Sequence, residues 1–388
     1  MKGRKVMNGL SFISPKYINE AEFVTVSGAN AESKARHSKR PKVWLIAALI
    51  ATMILLMGAA VYTRWSTSMQ YQYNPSEEIK KQAEQSGLSV MLEETKGSEN
   101  PDEVLSVTDQ GITITAVQTI VDEYSAELTF RIEGFNLPDG RAPSVWPLIT
   151  IDGDEDFSSV QGGAFFDGTT RNENFEWVYV SNGQPVEFGN DEYESAILDY
   201  SADDGSIEYT HYITFHEKDG RYLGKEIQVE FRYIAVQSAD KFGEDENMVE
   251  GSWKLKWTLV GAENKIKTEP NTEIGDSGVV LLDAELGQRT IRTRYHVNDY
   301  WEGWNQLVEL PQAIWGVRMK DGRELMCLST TSGFEDQENM IYFIDSTMFD
   351  SILDLSQVES LMFFKGREND ANGQPSIKTF YYIPISTN

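Results

Sequence analysis

Two histidines five residues apart, one cysteine, an acidic run and an aromatic loop are the places where this chain could do chemistry. His211 and His216 fall on a stretch that reads as a strand, where an odd separation sends side chains to opposite faces, so they make a poor zinc pair. Cys327 stands alone between Met326 and Leu328, which excludes an intramolecular disulfide and a C-x-x-C pair and suits a small buried hydrophobe. Asp152-Gly-Asp154-Glu-Asp156 opens like a calcium loop. Phe157 and Gly163, however, occupy the positions where an EF-hand needs glycine and glutamate, so it reads as a solvated acidic turn. No G-x-S-x-G elbow, P-loop or H-E-x-x-H run appears. These readings predict no catalytic residue, no metal and no cofactor; the chain is not expected to be an enzyme. The loop Tyr300-Trp301-Glu-Gly-Trp304 offers stacking faces for a sugar or wall polymer. Tyr300, Trp301 and Trp304 are therefore the candidate ligand residues, with core packing as the competing use.

The other candidate contacts lie near the N-terminus. Phe12, Ile13, Tyr17, Ile18 and Phe23 form an apolar cluster around a short helix predicted from Pro15 to about Glu22. A 42-residue tail cannot bury that surface by itself, so it is expected to fold on a protein partner.

What must position these residues follows from charge and hydropathy. The formal net charge is −27, but residues 1–42 hold nine Lys/Arg against three Glu. The remainder is strongly acidic, which excludes a nucleic-acid surface. The two regimes meet at Val43–Tyr62, twenty residues without a charge, long enough as a helix to cross a hydrocarbon core. Lys34, Arg36, Lys39, Arg40 and Lys42 flank its amino side. The positive-inside bias therefore predicts a cytoplasmic tail, a single span in the cell membrane and an extracellular remainder. A large exported part without disulfides suits a Gram-positive or anaerobic bacterium, or any envelope where oxidative pairing is not relied on.

Residues 63–103 read as a stalk, with a helix opening at Pro75-Ser76-Glu77-Glu78 and a stop at Gly87. From residue 104 the period changes to two. Gly111–Val121 and Ala126–Ile132 read as a hairpin, with further strands at Pro147–Ile151, Phe175–Val180, Ile207–Phe215, Lys225–Tyr233 and Gly251–Leu259. The last carries Trp253, Leu255, Trp257 and Leu259 on one side and Lys254, Lys256 and Thr258 on the other. Lys265–Gly275 has the turn-rich composition of a boundary. Beyond it, strands are predicted at Ser277–Leu286, Arg289–His296, Ala313–Met319, Glu324–Ser329, Met340–Phe343, Ser360–Phe364 and Ile377–Ile385. A hairpin is predicted at Lys320–Arg323 and a short helix at Ser346–Leu353. The expected fold is mainly β: one N-terminal transmembrane helix followed by two extracellular, immunoglobulin-like β-sandwich domains, 104–265 and 266–388.

Three stretches resemble a family of membrane-anchored Gram-positive proteins named for an extracellular domain of unknown function, which accompany extracytoplasmic-function sigma factors. They are Ser14-Pro-Lys-Tyr17-Ile18-Asn-Glu20-Ala21 ahead of the basic cluster, Ser106–Ile114 with Tyr124–Glu133, and Glu250-Gly251-Ser-Trp253-Lys-Leu255-Lys. The resemblance covers about residues 10–265 and implies an anti-sigma-like regulator whose tail holds a sigma factor. The tail lacks the His/Cys cluster of zinc-binding anti-sigma proteins, so such a contact is made otherwise. The alternative expectation is an envelope adhesion or wall-polymer-binding protein with no signalling role.

Overall fold

The computed structural model describes residues 65–385 apart from 74, 93–101, 139–140, 172–176, 182–183, 188–199, 201–204, 217–218, 239–243, 276–277, 298–313, 337, 349–350 and 370–374. All of them belong to one compact unit, Ala59–Asn388. Within it the described residues are mainly β, built of antiparallel sheets, with two α-helices among them.

The first body consists of two sheets packed face to face. One runs Ser89–Met91, Ile112–Val121, Ser125–Glu133, Ile207–Phe215, Ser158–Phe165 in spatial order, with Ser106–Asp109 also paired to Ile112–Val121. The other places Glu226–Gln237 between Asp245–Thr258 and the short strands Pro143–Ser144 and Leu148–Ile151. Between them lies an apolar core centred on Phe130, which meets Phe231 edge-on at 5.0 Å and Trp257 at 6.2 Å. The one-sided strand behaves as its alternation predicts: Trp253, Leu255, Trp257 and Leu259 are buried and Lys254 is exposed. Gln110 and Gly111 both adopt positive φ, 51° and 78°, so the hairpin before Ile112 turns in two residues, as glycine at its second position permits.

Within Ile112–Val121 strict alternation fails at one place. Between Ala116 and Gln118 the register against Ser125–Glu133 shifts, a bulge at Val117. Ile112, Ile114 and Ala116 face the core. Past the bulge, Gln118 pairs with Thr129 and Ile120 with Glu127, on the opposite face of the sheet. One extra residue thus re-aims a buried glutamine.

The second body is one folded sheet. Its described strands run Ile266–Thr268, Val279–Leu286, Thr290–Val297, Ile341–Met348, Glu324–Asp336, Ile314–Met319, Val358–Asn369, Pro375–Pro384, with Thr272–Glu273 also on Val279–Leu286. Glu324–Asp336 joins the two layers: its first residues pair with Ile314–Met319 and its later ones with Ile341–Met348. The core lies inside the fold, where Tyr295 from one layer meets Phe363 from the other. The hairpin at Lys320–Arg323 is present, with Gly322 at φ 90°, and the closing strand lies at the sheet edge with Pro384 at its end.

The predicted helix Ser346–Leu353 is not formed. Ser346–Met348 continue the strand that starts at Ile341, because ladders on both sides, to Thr290–Val297 and Glu324–Asp336, claim its backbone groups. A third small sheet centres on Trp177–Ser181. The apolar run 43–62 lies outside the described residues; among those described, no helix is long and apolar enough to cross a membrane.

Candidate functional site

Residues 65–92, expected as a stalk, lie against the body instead of projecting from it. Helix α1, Thr67–Tyr73, follows Trp65 and Ser66; helix α2, Glu77–Gln85, is N-capped by Ser76, whose hydroxyl accepts the Ile79 N–H. Gly87, at φ 76°, ends the turn, and Ser89–Met91 adds an edge strand to the first sheet. Together these residues form a strap over the outer face of that sheet.

The strap holds to the sheet through polar groups as well as apolar packing. Glu208 accepts the Thr67 and Ser68 N–H groups at 3.0 and 2.7 Å, one on each carboxylate oxygen. Gln118 accepts from the Ser66 N–H and hydroxyl at 2.9 and 3.0 Å, and donates to Ser89 Oγ at 2.9 Å, so one side chain ties both ends of the strap. Glu127 accepts the Tyr73 hydroxyl at 2.7 Å and the Gln72 amide at 3.2 Å. Alongside sits an apolar cluster of Trp65, Met69, Tyr73, Ala83, Leu88, Ile120, Ala262 and Ile352.

The second body completes the site. Arg289, from the turn before Thr290–Val297, donates to Glu127 and lies 5.6 Å from the Tyr73 ring centroid. Its side chain is 6% exposed and that of Glu127 1%, so the pair is desolvated on both sides. Burial works against the guanidinium charge, but Glu127, Tyr73 and Asp122 together outweigh it and the Arg289 pKa is raised. Burial pushes the Tyr73 hydroxyl well above its ordinary value, so it stays a donor. Ile352 joins the apolar cluster, and Gln82 reaches Asp354 at 3.4 Å. Ser68 Oγ, Asp122 Oδ2 and Arg289 Nε are buried without a hydrogen bond.

Around this seat the two bodies are stitched at the predicted boundary. Asp122 closes the turn between the first hairpin strands by accepting the Tyr124 and Ser125 N–H groups at 2.9 Å. Ser125 Oγ lies 3.1 Å from Thr290 Oγ1. Lys265 pairs with Glu123 and, at 3.4 Å, with Glu285, which also accepts from Tyr124 and Lys267. Burial would raise the Glu285 carboxyl, but Lys267 and Tyr124 hold it down at about 2.

The residues singled out for chemistry are not brought here. Tyr300, Trp301 and Trp304 lie outside the described residues, as do Phe12, Ile13, Tyr17, Ile18 and Phe23. His211 is buried in the first core between Tyr209 OH at 2.9 Å and Gln161 Oε1 at 3.1 Å. Burial lowers its pKa to about 4, so near neutral pH it is uncharged, with Nδ1 accepting from Tyr209 and Nε2 donating to Gln161. His216 sits 3.4 Å from Asp156 near the surface. Asp152 pairs with Lys225 at 2.7 Å, and the acidic run is an exposed turn ahead of buried Phe157. Cys327 is buried, its thiol pushed up to about 12. Among the described residues no group of three or more His, Cys, Asp or Glu could hold a metal ion.

Sequence reasoning missed Gln118, Glu127, Glu208 and Arg289. The available signal was that polar residues in the first hairpin alternate with apolar ones beside an amphipathic α2, two unpaired faces close in sequence.

No protein-family model and no curated protein matches the chain. Among solved structures, a conserved domain protein from Bacillus anthracis is similar, with 11% identity and a TM-score of 0.38, covering 73% of this chain and 89% of that one. That likeness carries no functional argument.

Proposed function

We propose that the protein is a single-pass membrane regulator, anti-sigma-like, in which two extracellular β-sandwich-like domains act as a sensor and the basic cytoplasmic tail holds a partner, a sigma factor. The observation that carries this reading is the burial of the strap. The chain that follows the apolar run is held by both β bodies at once, through Glu127, Glu208 and Arg289. A tether with no part in coupling needs no such attachment. A single span conveys only changes in its position, its association or its integrity, and a strap locked to the outer bodies links each of these to events outside.

The test starts from the tail. Residues 1–42 are used to retain partners from cell extract, and Tyr17→Ala with Ile18→Ala is scored for retention and for transcription. The reading expects a sigma factor to be retained and released by the double substitution. Retention of no cytoplasmic protein, with transcription unchanged, refutes it and leaves the adhesion alternative.

A further inference from the structure

We propose that the strap up to its edge strand, residues 65–88, is a releasable latch whose keeper is the second body: moving that body off Glu127 frees it while the first body stays folded. This deepens the regulator reading, which supplies its purpose, but its test reads the strap alone, so either can fail without the other.

Three features carry it. The strap's seat combines an apolar cluster of Trp65, Met69, Tyr73, Ala83 and Leu88 with a dense set of polar contacts. Ser66, Thr67, Ser68, Gln72 and Tyr73 all make polar contacts to the sheet, and each of these groups can be returned to water on release. A segment whose attachment leans this much on exchangeable polar contacts is a candidate for opening below the global unfolding energy. The seat is also conditional. Glu127 lies under the strap at 1% exposure, and the cation that neutralises it comes from Arg289, 162 residues further along the chain. α1 has no basic residue in its last turn to take over that role. Withdrawal of Arg289 leaves a buried carboxylate facing a neutral hydroxyl and an amide, and hydration of that carboxylate requires the strap to lift. Finally, release has a consequence of useful size. Freed and fully extended, residues 65–88 span at most roughly 3.4 Å each, on the order of 80 Å of tether between the apolar run and the first body. A change in length and exposure of that order is what a single span can convey.

Thiol labelling of the full chain in detergent micelles tests this. Ala83→Cys places a reporter in the strap cluster, and Cys327 in the second core reports whole-body unfolding. In the parent with Ala83→Cys, a maleimide is expected to react at the new thiol at least tenfold faster than at Cys327. Adding Arg289→Met is expected to raise the strap rate about tenfold or more with the Cys327 rate unchanged. Adding Glu127→Gln as well is expected to bring the strap rate back down, since no carboxylate is then stranded. An unchanged strap rate in Arg289→Met overturns the proposal. So does equal labelling of both thiols in the parent, a comparison that still decides the matter if Arg289→Met fails to fold.

Discussion

The first sheet buries both of its faces, and the two differ in what covers them. On one side Ile114, Leu128, Phe130, Tyr209 and Ile213 meet the apolar residues of the facing sheet. On the other, Gln118, Glu127, Thr129, Glu208 and Thr210, equally buried, meet the strap and the second body. Burial is the same; chemistry is not. The apolar side is held by the exclusion of water and needs no particular partner. The polar side depends on its carboxylates and amides finding matches, and one of those matches, Arg289, arrives from the second body. A buried face of that kind is conditional on an arrangement, which suits it to a junction.

The comparison sharpens most at its apolar pole. Phe130→Ala removes a fully buried ring and is expected to cost about 3–5 kcal/mol, lowering the urea midpoint of the whole first body. A loss well under 1 kcal/mol would mean that this core is not what holds the two sheets together. On the polar side, Arg289→Met strands Glu127 and is expected to cost about 3 kcal/mol. The diagnostic is the double variant Glu127→Gln with Arg289→Met, expected to recover most of that loss. Additive losses in the double-mutant cycle would remove the ion pair from the account.

Smaller effects separate the faces further. Ser76→Ala deletes the N-cap of α2 and should cost about 1 kcal/mol, read by faster amide exchange in residues 77–85 with the core strands unaffected. Acid should act on both regions. Glu285 has a lowered carboxyl pKa of about 2, so its contribution is complete above the ordinary carboxylate range and is lost as pH falls through about 4.5 towards 2. His211, lowered to about 4 inside the apolar core, binds protons more readily when unfolded, so stability drops as pH falls from about 6.5 to about 4. His211→Gln should flatten the stability profile in the upper window and Glu285→Gln in the lower; profiles identical to the parent would refute both assignments. At the bottom of the scale, Lys254→Ala breaks an exposed pair with Glu230 and should shift stability by less than about 0.5 kcal/mol, checked by the same urea titration.

Much of the β architecture was legible because its signal is local. Trp253-Lys-Leu255-Lys-Trp257 states its own two faces, Lys320–Arg323 states its turn, and Cys327 without a thiol partner reads as the buried side chain it is. The seat was not legible. Glu127 and Glu208 occupy the polar positions of alternating strands, which look like a solvent face until the strap is placed on them. Gln118 reaches that face only because of a bulge that alternation does not reveal. Ser346–Leu353 failed for a related reason: helical spacing was overruled by two neighbouring strands that needed its backbone.

By itself, then, the sequence determined the acidic β-rich composition, the basic tail with its uncharged run, most strand positions and the absence of disulfide chemistry, since each depends on residue type and short-range period. Only the tertiary structure decided that the stretch beyond the uncharged run is locked under both bodies and that Arg289 neutralises Glu127. Those contacts join residues separated by 29 to 272 positions, and at such separations a side chain finds its partner through the fold rather than through spacing.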